Sequence, residues 1–358
     1  VSADPVRGAR PVRDEDSFDV AAVASWLRAH ATDAEGLDGE PEVQQFSGGA
    51  SNLTYLLRWP TRDLILRRAP KGTKAKGAHD MRREFRIQQA LAPVFPYVAA
   101  MVAFCDDAAV LGGDFYVMER IEGVIPRSEW PQDVPLSPEQ ARALCLGAVE
   151  RLVELHSVDP EAAGLGDLGK GAGYVRRQVD GWSVRYRNAR TGDVPDYEQV
   201  MAWLAERQPD DVATCVIHND YKLDNLVLDP DDPTRVVGIL DWEMATLGDP
   251  LMDLAGSMAY WVQADDSDAF QMMRRVPTHL PGMLTRAEIV ERYCARMGFE
   301  VTPEQWRFYE VFGLFRLAVI AQQIYYRYVL GQTTNEIYAL FGEAVRMVEA
   351  RIAEVIDT

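Results

Sequence analysis

One stretch, residues 216 to 253, most constrains what this chain can fold into. Two apolar, β-branched runs, 226–228 and 236–240, are separated by Asp229-Pro-Asp-Asp-Pro-Thr, the pattern of a short hairpin closed by a turn. Polar side chains stand just outside both runs. Asp220, Lys222 and Asn225 precede the first, and Asp241 follows the second. In an antiparallel pair the start of one strand lies beside the end of the other. Asp220, Asn225 and Asp241 are therefore expected to meet at one end of the hairpin.

Such a meeting has a chemical use. Magnesium takes one or two carboxylates together with phosphate oxygens and water. Asp241 and Asn225 can supply the protein's share of that shell. Asp220 stays free to accept a proton from an incoming hydroxyl, and Lys222 can reach a transferred phosphoryl group. The spacing matches the protein-kinase catalytic loop: a base Asp, a Lys two residues on, an Asn five residues on, and a metal-binding Asp downstream. Here the downstream motif is Asp241-Trp242-Glu243 instead of Asp-Phe-Gly. The stretch resembles the aminoglycoside phosphotransferase family, whose members share the kinase fold and phosphorylate small molecules. That family usually has His-Gly-Asp, and Asn219 stands here in place of the Gly. A surface turn rich in Asp and Asn is the competing reading; base, Lys, Asn and second Asp falling in one register weigh against it.

At 358 residues the chain exceeds a usual single core, which implies two lobes of unequal size. The net charge of −18 is the wrong sign for a phosphate-backbone binder, so nucleic acid is not expected as a partner. The longest apolar segment, 312–330, is interrupted by Arg316, Gln322, Gln323 and Arg327, so no membrane span is expected. The first twenty residues are too polar for a signal peptide, and the absence of an initiator Met suggests a trimmed start. Cys105, Cys145, Cys215 and Cys294 are widely spaced, as reduced core thiols of a cytoplasmic protein would be. The five histidines show no pair at metal-ligand spacing, which disfavours a metallohydrolase built on His218.

Residues 1–16 read as a loose charged tail. Phe18 to Ala31 has helical periodicity, with Asp16 or Ser17 as its cap. Val43–Phe46 and Leu53–Leu57 read as strands. The loop between them, Ser47-Gly48-Gly49-Ala50-Ser51-Asn52, lets backbone N–H groups approach phosphates, although Gly-Gly turns also join ordinary hairpins. Leu64-Ile-Leu-Arg67-Arg68 is a third strand, and Asp80 to Leu91 a helix. Ser137-Pro-Glu-Gln140 starts a long helix with a capping box. His156, at that helix's end, reads as structural. Gly164-x-Gly166-x-x-Gly169 follows no strand and fails the context test for dinucleotide binding. Aromatic residues between 312 and 327 are expected in the core, or in part along an acceptor cleft.

The resemblance covers roughly residues 40 to 350. It is nearest to the branch of kinase-like domains found fused to acyl-CoA dehydrogenases, on Tyr174-Val-Arg-Arg-Gln178 with Trp182, Leu240–Glu243, Gly248–Leu251 and Phe315-Arg316-Leu. It implies an α+β, bilobal protein-kinase-like fold. Residues 1–120 would form the nucleotide-binding lobe, a small antiparallel sheet with one main helix. Residues 121–358 would form the mostly helical catalytic and acceptor-binding lobe. It implies ATP and magnesium (Mg2+) as cofactors, with loop 47–52 covering the phosphates. Arg67 stands where kinases carry a phosphate-binding Lys, and Glu84 is its helix partner. Met118 would line the adenine pocket, and the backbone of Glu119 and Ile121 would bond the adenine edge. Asp253 would accept hydrogen bonds from the catalytic-loop backbone, and His218 would brace that loop. The expected partner is a small-molecule hydroxyl acceptor. Arg176, Arg177, Arg185 and Arg316 suit an anionic acyl-CoA, and the acidic surface suits an aminoglycoside. A nucleotide-binding pseudokinase is the alternative, motivated by Arg67 and Asn219.

Overall fold

The computed structural model describes residues 6–46, 52–70, 80–333 and 335–357. Two compact units are present: Val1–Glu122 with Gly238–Glu243, and Gly123–Val237 with Met244–Thr358.

The first unit is built on a six-stranded antiparallel sheet in the order β1-β2-β3-β4-β6-β5. Its strands are β1 (Ala9–Pro11), β2 (Glu42–Phe46), β3 (Leu53–Arg58), β4 (Asp63–Arg68), β5 (Met101–Cys105) and β6 (Phe115–Glu119). Successive side chains in a strand point to opposite faces, and both faces of β3 and β4 are covered. Tyr55, Leu57, Leu64 and Leu66 share one core with Val23 and Leu27 of the helix Val20–His30. Leu56 and Ile65, on the other face, pack with Met81 of the helix Met81–Leu91 and with Tyr116 and Met118 of β6. That double coverage explains why the two strands read as near-continuous apolar runs. Asp80 caps the second helix by accepting from the Arg83 N–H.

Two local expectations are corrected. The segment before residue 17 is not a loose tail over its described part. β1 pairs with β2, and the buried Asp16 accepts from the side chains of Gln45 and Arg13. Its backbone carbonyl accepts from Tyr55 and Arg68. A three-residue polar strand carries no alternation that a sequence pattern could register. The first helix is capped by Asp19, which accepts from Ala22, and not by Asp16 or Ser17. Asp16 is committed to the sheet, and Phe18 packs edge-on against Tyr55.

The second unit is mostly helical. Its long helices are Pro138–His156, Tyr174–Ala189, Pro303–Val329 and Phe341–Asp357. The Ser137/Gln140 capping box forms as the sequence indicates. Phe312 and Phe315 are buried, so these aromatics belong to the core. Gly313 lets the helix Pro303–Val329 approach the helix Pro250–Met258, since a Cβ there would lie 2.4 Å from the Ala255 carbonyl oxygen. A short ribbon pairs β7 (Cys215–Ile217) with β10 (Thr246–Gly248). The hairpin strands are β8 (Leu226–Leu228) and β9 (Val236–Ile239), and the chain passes from the second unit to the first within β9. All four cysteines are buried free thiols. Among the described residues, no helix is long and apolar enough to cross a membrane.

Candidate functional site

The loop before β8 starts from a buried carboxylate. Asp253, in the first turn of the helix Pro250–Met258, accepts from the backbone N–H of His218 at 2.8 Å and of Asn219 at 2.7 Å. His156 Nε2 lies 3.0 Å from the same carboxylate, and its Nδ1 bonds the Tyr293 hydroxyl. Burial pushes the Asp253 carboxyl up, but the hydrogen bonds and charges of His156 and His218 together outweigh it and hold the group below its ordinary value. His218 Nδ1 accepts from the Asp220 N–H at 3.2 Å, bracing the loop through its backbone. Asn219 has φ of +65°, a left-handed conformation that Asn tolerates better than most residues and that Gly adopts freely.

Asp220, Lys222 and Asn225 come together in this loop. Lys222 Nζ lies 2.7 Å from both carboxylate oxygens of Asp220. Asn225 Nδ2 donates to the Asp220 carbonyl at 2.8 Å and to its Oδ2 at 2.9 Å. The expected free carboxylate thus carries two donors, and the Lys222 ammonium rests on it. Burial would lower the Lys222 pKa, but the charges of Asp220 and Asp224 raise it. Burial lifts the neighbouring Asp224 to about 6, against the pull of Lys222. Lys222 Nζ also sits 5.0 Å from the centroid of the Tyr260 ring, a cation–π contact. Sequence reasoning did not single out Tyr260; it lies just beyond a helix end and belongs to no motif. The apolar cavity beside Lys222, lined by Leu152, Tyr221, Leu254 and Met258 among others, measures about 30 Å³ and is too small for an acceptor.

Arg67, Glu84 and Asp241 come together in the first unit. Arg67 Nη1 is 2.8 Å from Glu84 Oε1, and Arg67 Nη2 is 3.1 Å from Asp241 Oδ1. The contact with Glu84 is an ion pair whose N–H is not aligned for a hydrogen bond. Glu84 is buried, which pushes its carboxyl up while Arg67 pulls it down. Asp241 has φ of +68°, and Trp242 anchors the turn by donating from Nε1 to the Ile239 carbonyl. Asn52, from the end of the candidate phosphate loop, is buried and donates to Glu243 Oε2 at 3.0 Å. Ser47, Gly48, Gly49, Ala50 and Ser51 lie outside the described residues.

The candidate hinge is also in the first unit. Met118 is buried in the sheet core, and the Glu119 N–H donates to the Ala100 carbonyl at 2.8 Å. The Glu119 carboxylate pairs with Arg62. Ile121 packs over Gly238, where a Cβ would stand 2.6 Å from Ile121 Cδ1. Of the basic residues considered for an acceptor, Arg177 is spent on the carbonyls of Gly171 and Ala172. Arg185 and Arg316 both lie against the Trp182 ring.

Residues 42–308 match the phosphotransferase enzyme family known as APH. Mouse acyl-CoA dehydrogenase family member 10 is 34% identical over 334 residues, which is 92% of this chain and 30% of that protein. Human acyl-CoA dehydrogenase family member 11 is 34% identical over 342 residues, 94% of this chain and 43% of that protein. The chain spans less than half the length of these curated relatives. Among solved structures, a Ralstonia eutropha JMP134 protein provisionally named an aminoglycoside phosphotransferase superposes with a TM-score of 0.78 at 33% identity, covering 95% of this chain and 98% of that one. Choline kinase from Cryptosporidium parvum Iowa II shares the fold, with a TM-score of 0.63 at 11% identity over 95% of this chain and 97% of that one. The α+β architecture is accordingly the bilobal, protein-kinase-like one, and the chain belongs to the APH phosphotransferase family.

Proposed function

We propose that this chain transfers the γ-phosphoryl group of ATP to a hydroxyl of a small molecule. One observation carries the reading: Asp220 is held in a braced loop with Lys222 and Asn225 on its carboxylate, in a chain of a phosphotransferase family. Asp220 orients the acceptor hydroxyl and takes its proton as the phosphorus–oxygen bond forms. The Lys222 ammonium rests on Asp220 and can shift toward phosphate oxygens as the acceptor engages the carboxylate. Met118 and the backbone of Glu119 and Ile121 would receive the adenine, with the Glu119 N–H already bonded to Ala100. Residues 47–52 would approach the phosphates.

The donor chemistry fits magnesium. Asn225 uses its amide N–H groups on Asp220, which leaves Oδ1 as a donor atom for a cation. Asp241 is 36% exposed at its side chain and gives one oxygen to Arg67. Both are hard oxygen ligands. Phosphate oxygens and water would complete the shell. Magnesium, when bound, supplies positive charge against the phosphate oxygens. Arg67, bound to Glu84 and Asp241, adds a fixed guanidinium near them.

The test is single-turnover ATP consumption with panels of hydroxylated acyl compounds and aminoglycosides. Asp220→Ala should abolish transfer and retain ATP binding; transfer at the wild-type rate removes Asp220 as the base. Asp241→Ala should lose magnesium-dependent nucleotide binding, and unchanged binding removes its metal role. Tight ATP binding without turnover across the panel would instead mark a nucleotide-binding sensor.

A further inference from the structure

Asn219 is where the chain departs from the family's glycine, and the structure uses the added amide. The backbone N–H donates to Asp253 Oδ1 at 2.7 Å. The carbonyl accepts from Arg316 Nη2 at 2.6 Å. The side-chain Nδ2 donates to the Met244 carbonyl at 3.0 Å, and Oδ1 lies 3.0 Å from the Tyr174 hydroxyl. The Met244 carbonyl can only accept, so Nδ2 must face it, and the Tyr174 hydroxyl must donate to Oδ1. Burial raises the Tyr174 pKa to about 12, so that proton is present at neutral pH.

These four partners come from separate parts of the second unit: the start of the helix Tyr174–Ala189, the segment after Glu243, the first turn of Pro250–Met258, and the middle of Pro303–Val329. Arg316 is buried, stacked on Trp182, and lies where a Cβ at Gly256 would come within 2.7 Å of Nη1. The guanidinium therefore has little freedom to move away from the Asn219 carbonyl. A glycine would supply the same φ and the same two backbone bonds, but neither side-chain bond.

We infer that Asn219 is a positioning residue: its side chain joins Tyr174 to the Met244 carbonyl and so fixes the peptide from which Asp220 projects. This rests on the proposed role of Asp220 in phosphoryl transfer. Misplacing a catalytic group by about 1 Å costs on the order of 100-fold in rate.

The test compares Asn219→Gly, Tyr174→Phe and the double variant. The readouts are phosphate release from Mg-ATP with water as acceptor, Mg-ATP affinity by calorimetry, and amide exchange across 217–225. Asn219→Gly keeps the left-handed backbone without strain. It should lower kcat about 10- to 100-fold, leave the KM for ATP within about twofold, and speed amide exchange in the loop about tenfold. Tyr174→Phe should lower kcat about threefold to tenfold, and the double variant should be no slower than Asn219→Gly, because Tyr174 acts through the same amide. Wild-type kcat in Asn219→Gly, or effects that multiply in the double variant, overturns the inference. If the wild-type chain releases no phosphate to water, kcat is read with the hydroxylated acceptors of the panel, and no transfer to any of them makes the kinase reading fail by itself. The exchange measurement then still decides: unchanged exchange in Asn219→Gly shows that the side chain does not hold the loop.

Discussion

Replacing Asp253 by Asn tests how the loop bearing Asp220 is held. The substitution keeps the shape but turns one acceptor oxygen into an NH2 group. Oδ2 accepts from the His218 N–H and faces His156 Nε2, while Oδ1 accepts from the Asn219 N–H. The least costly orientation sets the new NH2 against the Asn219 N–H alone. A charge-assisted hydrogen bond worth about 1.5–3 kcal/mol is then lost, and a buried donor is left unpaired at about 1–3 kcal/mol more. The sum is about 2.5–6 kcal/mol. Urea denaturation, followed separately by tryptophan fluorescence and circular dichroism, measures it, and coincident transitions license a two-state treatment. A loss under about 1 kcal/mol, with an unchanged m-value, would refute the claim that this carboxylate supports the loop. The sign with pH follows from the Asp253 carboxyl lying below its ordinary 3.8. Its stabilisation is fully present above that value and fades as pH falls through the folded value. The gap between wild type and Asp253→Asn should therefore narrow on acidification below pH 3.8; a gap that widens there contradicts the assignment.

Other substitutions probe single contacts. Glu84→Gln removes the buried partner of Arg67 and should cost about 3 kcal/mol, read from the denaturation midpoint; a neutral result would mean that Asp241 alone balances the guanidinium. Gly313→Ala drives a methyl group to 2.4 Å from a backbone oxygen that cannot rotate away, and should lower stability by about 1–3 kcal/mol or more. Gly238→Ala meets the flexible Ile121 side chain first, at 2.6 Å, and should cost less than Gly313→Ala when both are measured by urea denaturation. The reverse order would mean that the two backbones separate more easily than Ile121 changes rotamer.

Local pattern carried much of this protein. The hairpin runs and the Ser137 capping box rest on short-range spacing, which the chain writes directly, whereas the Arg67–Glu84 pairing was expected only through the family resemblance. The spacing of Asp220, Lys222 and Asn225 likewise follows from one turn of backbone before β8, because residues so close along the chain have few ways to meet. The resting place of the Lys222 ammonium did not follow, since a four-carbon stem reaches several anions and its surroundings choose among them.

What only the tertiary structure decided is where long-range partners converge. Asp16 reads as one more charge in a polar tail until Gln45, Tyr55 and Arg68 close around it. Asn219 reads as a blemish in a glycine position until Tyr174, Met244, Asp253 and Arg316 arrive from distant segments. A hydrogen bond between groups a hundred residues apart depends on the packing of whole helices, and no periodicity along the chain encodes it. The sequence alone determined which side chains stand close together along the chain before β8; the packing of the second unit determined the partners that hold the loop bearing Asp220.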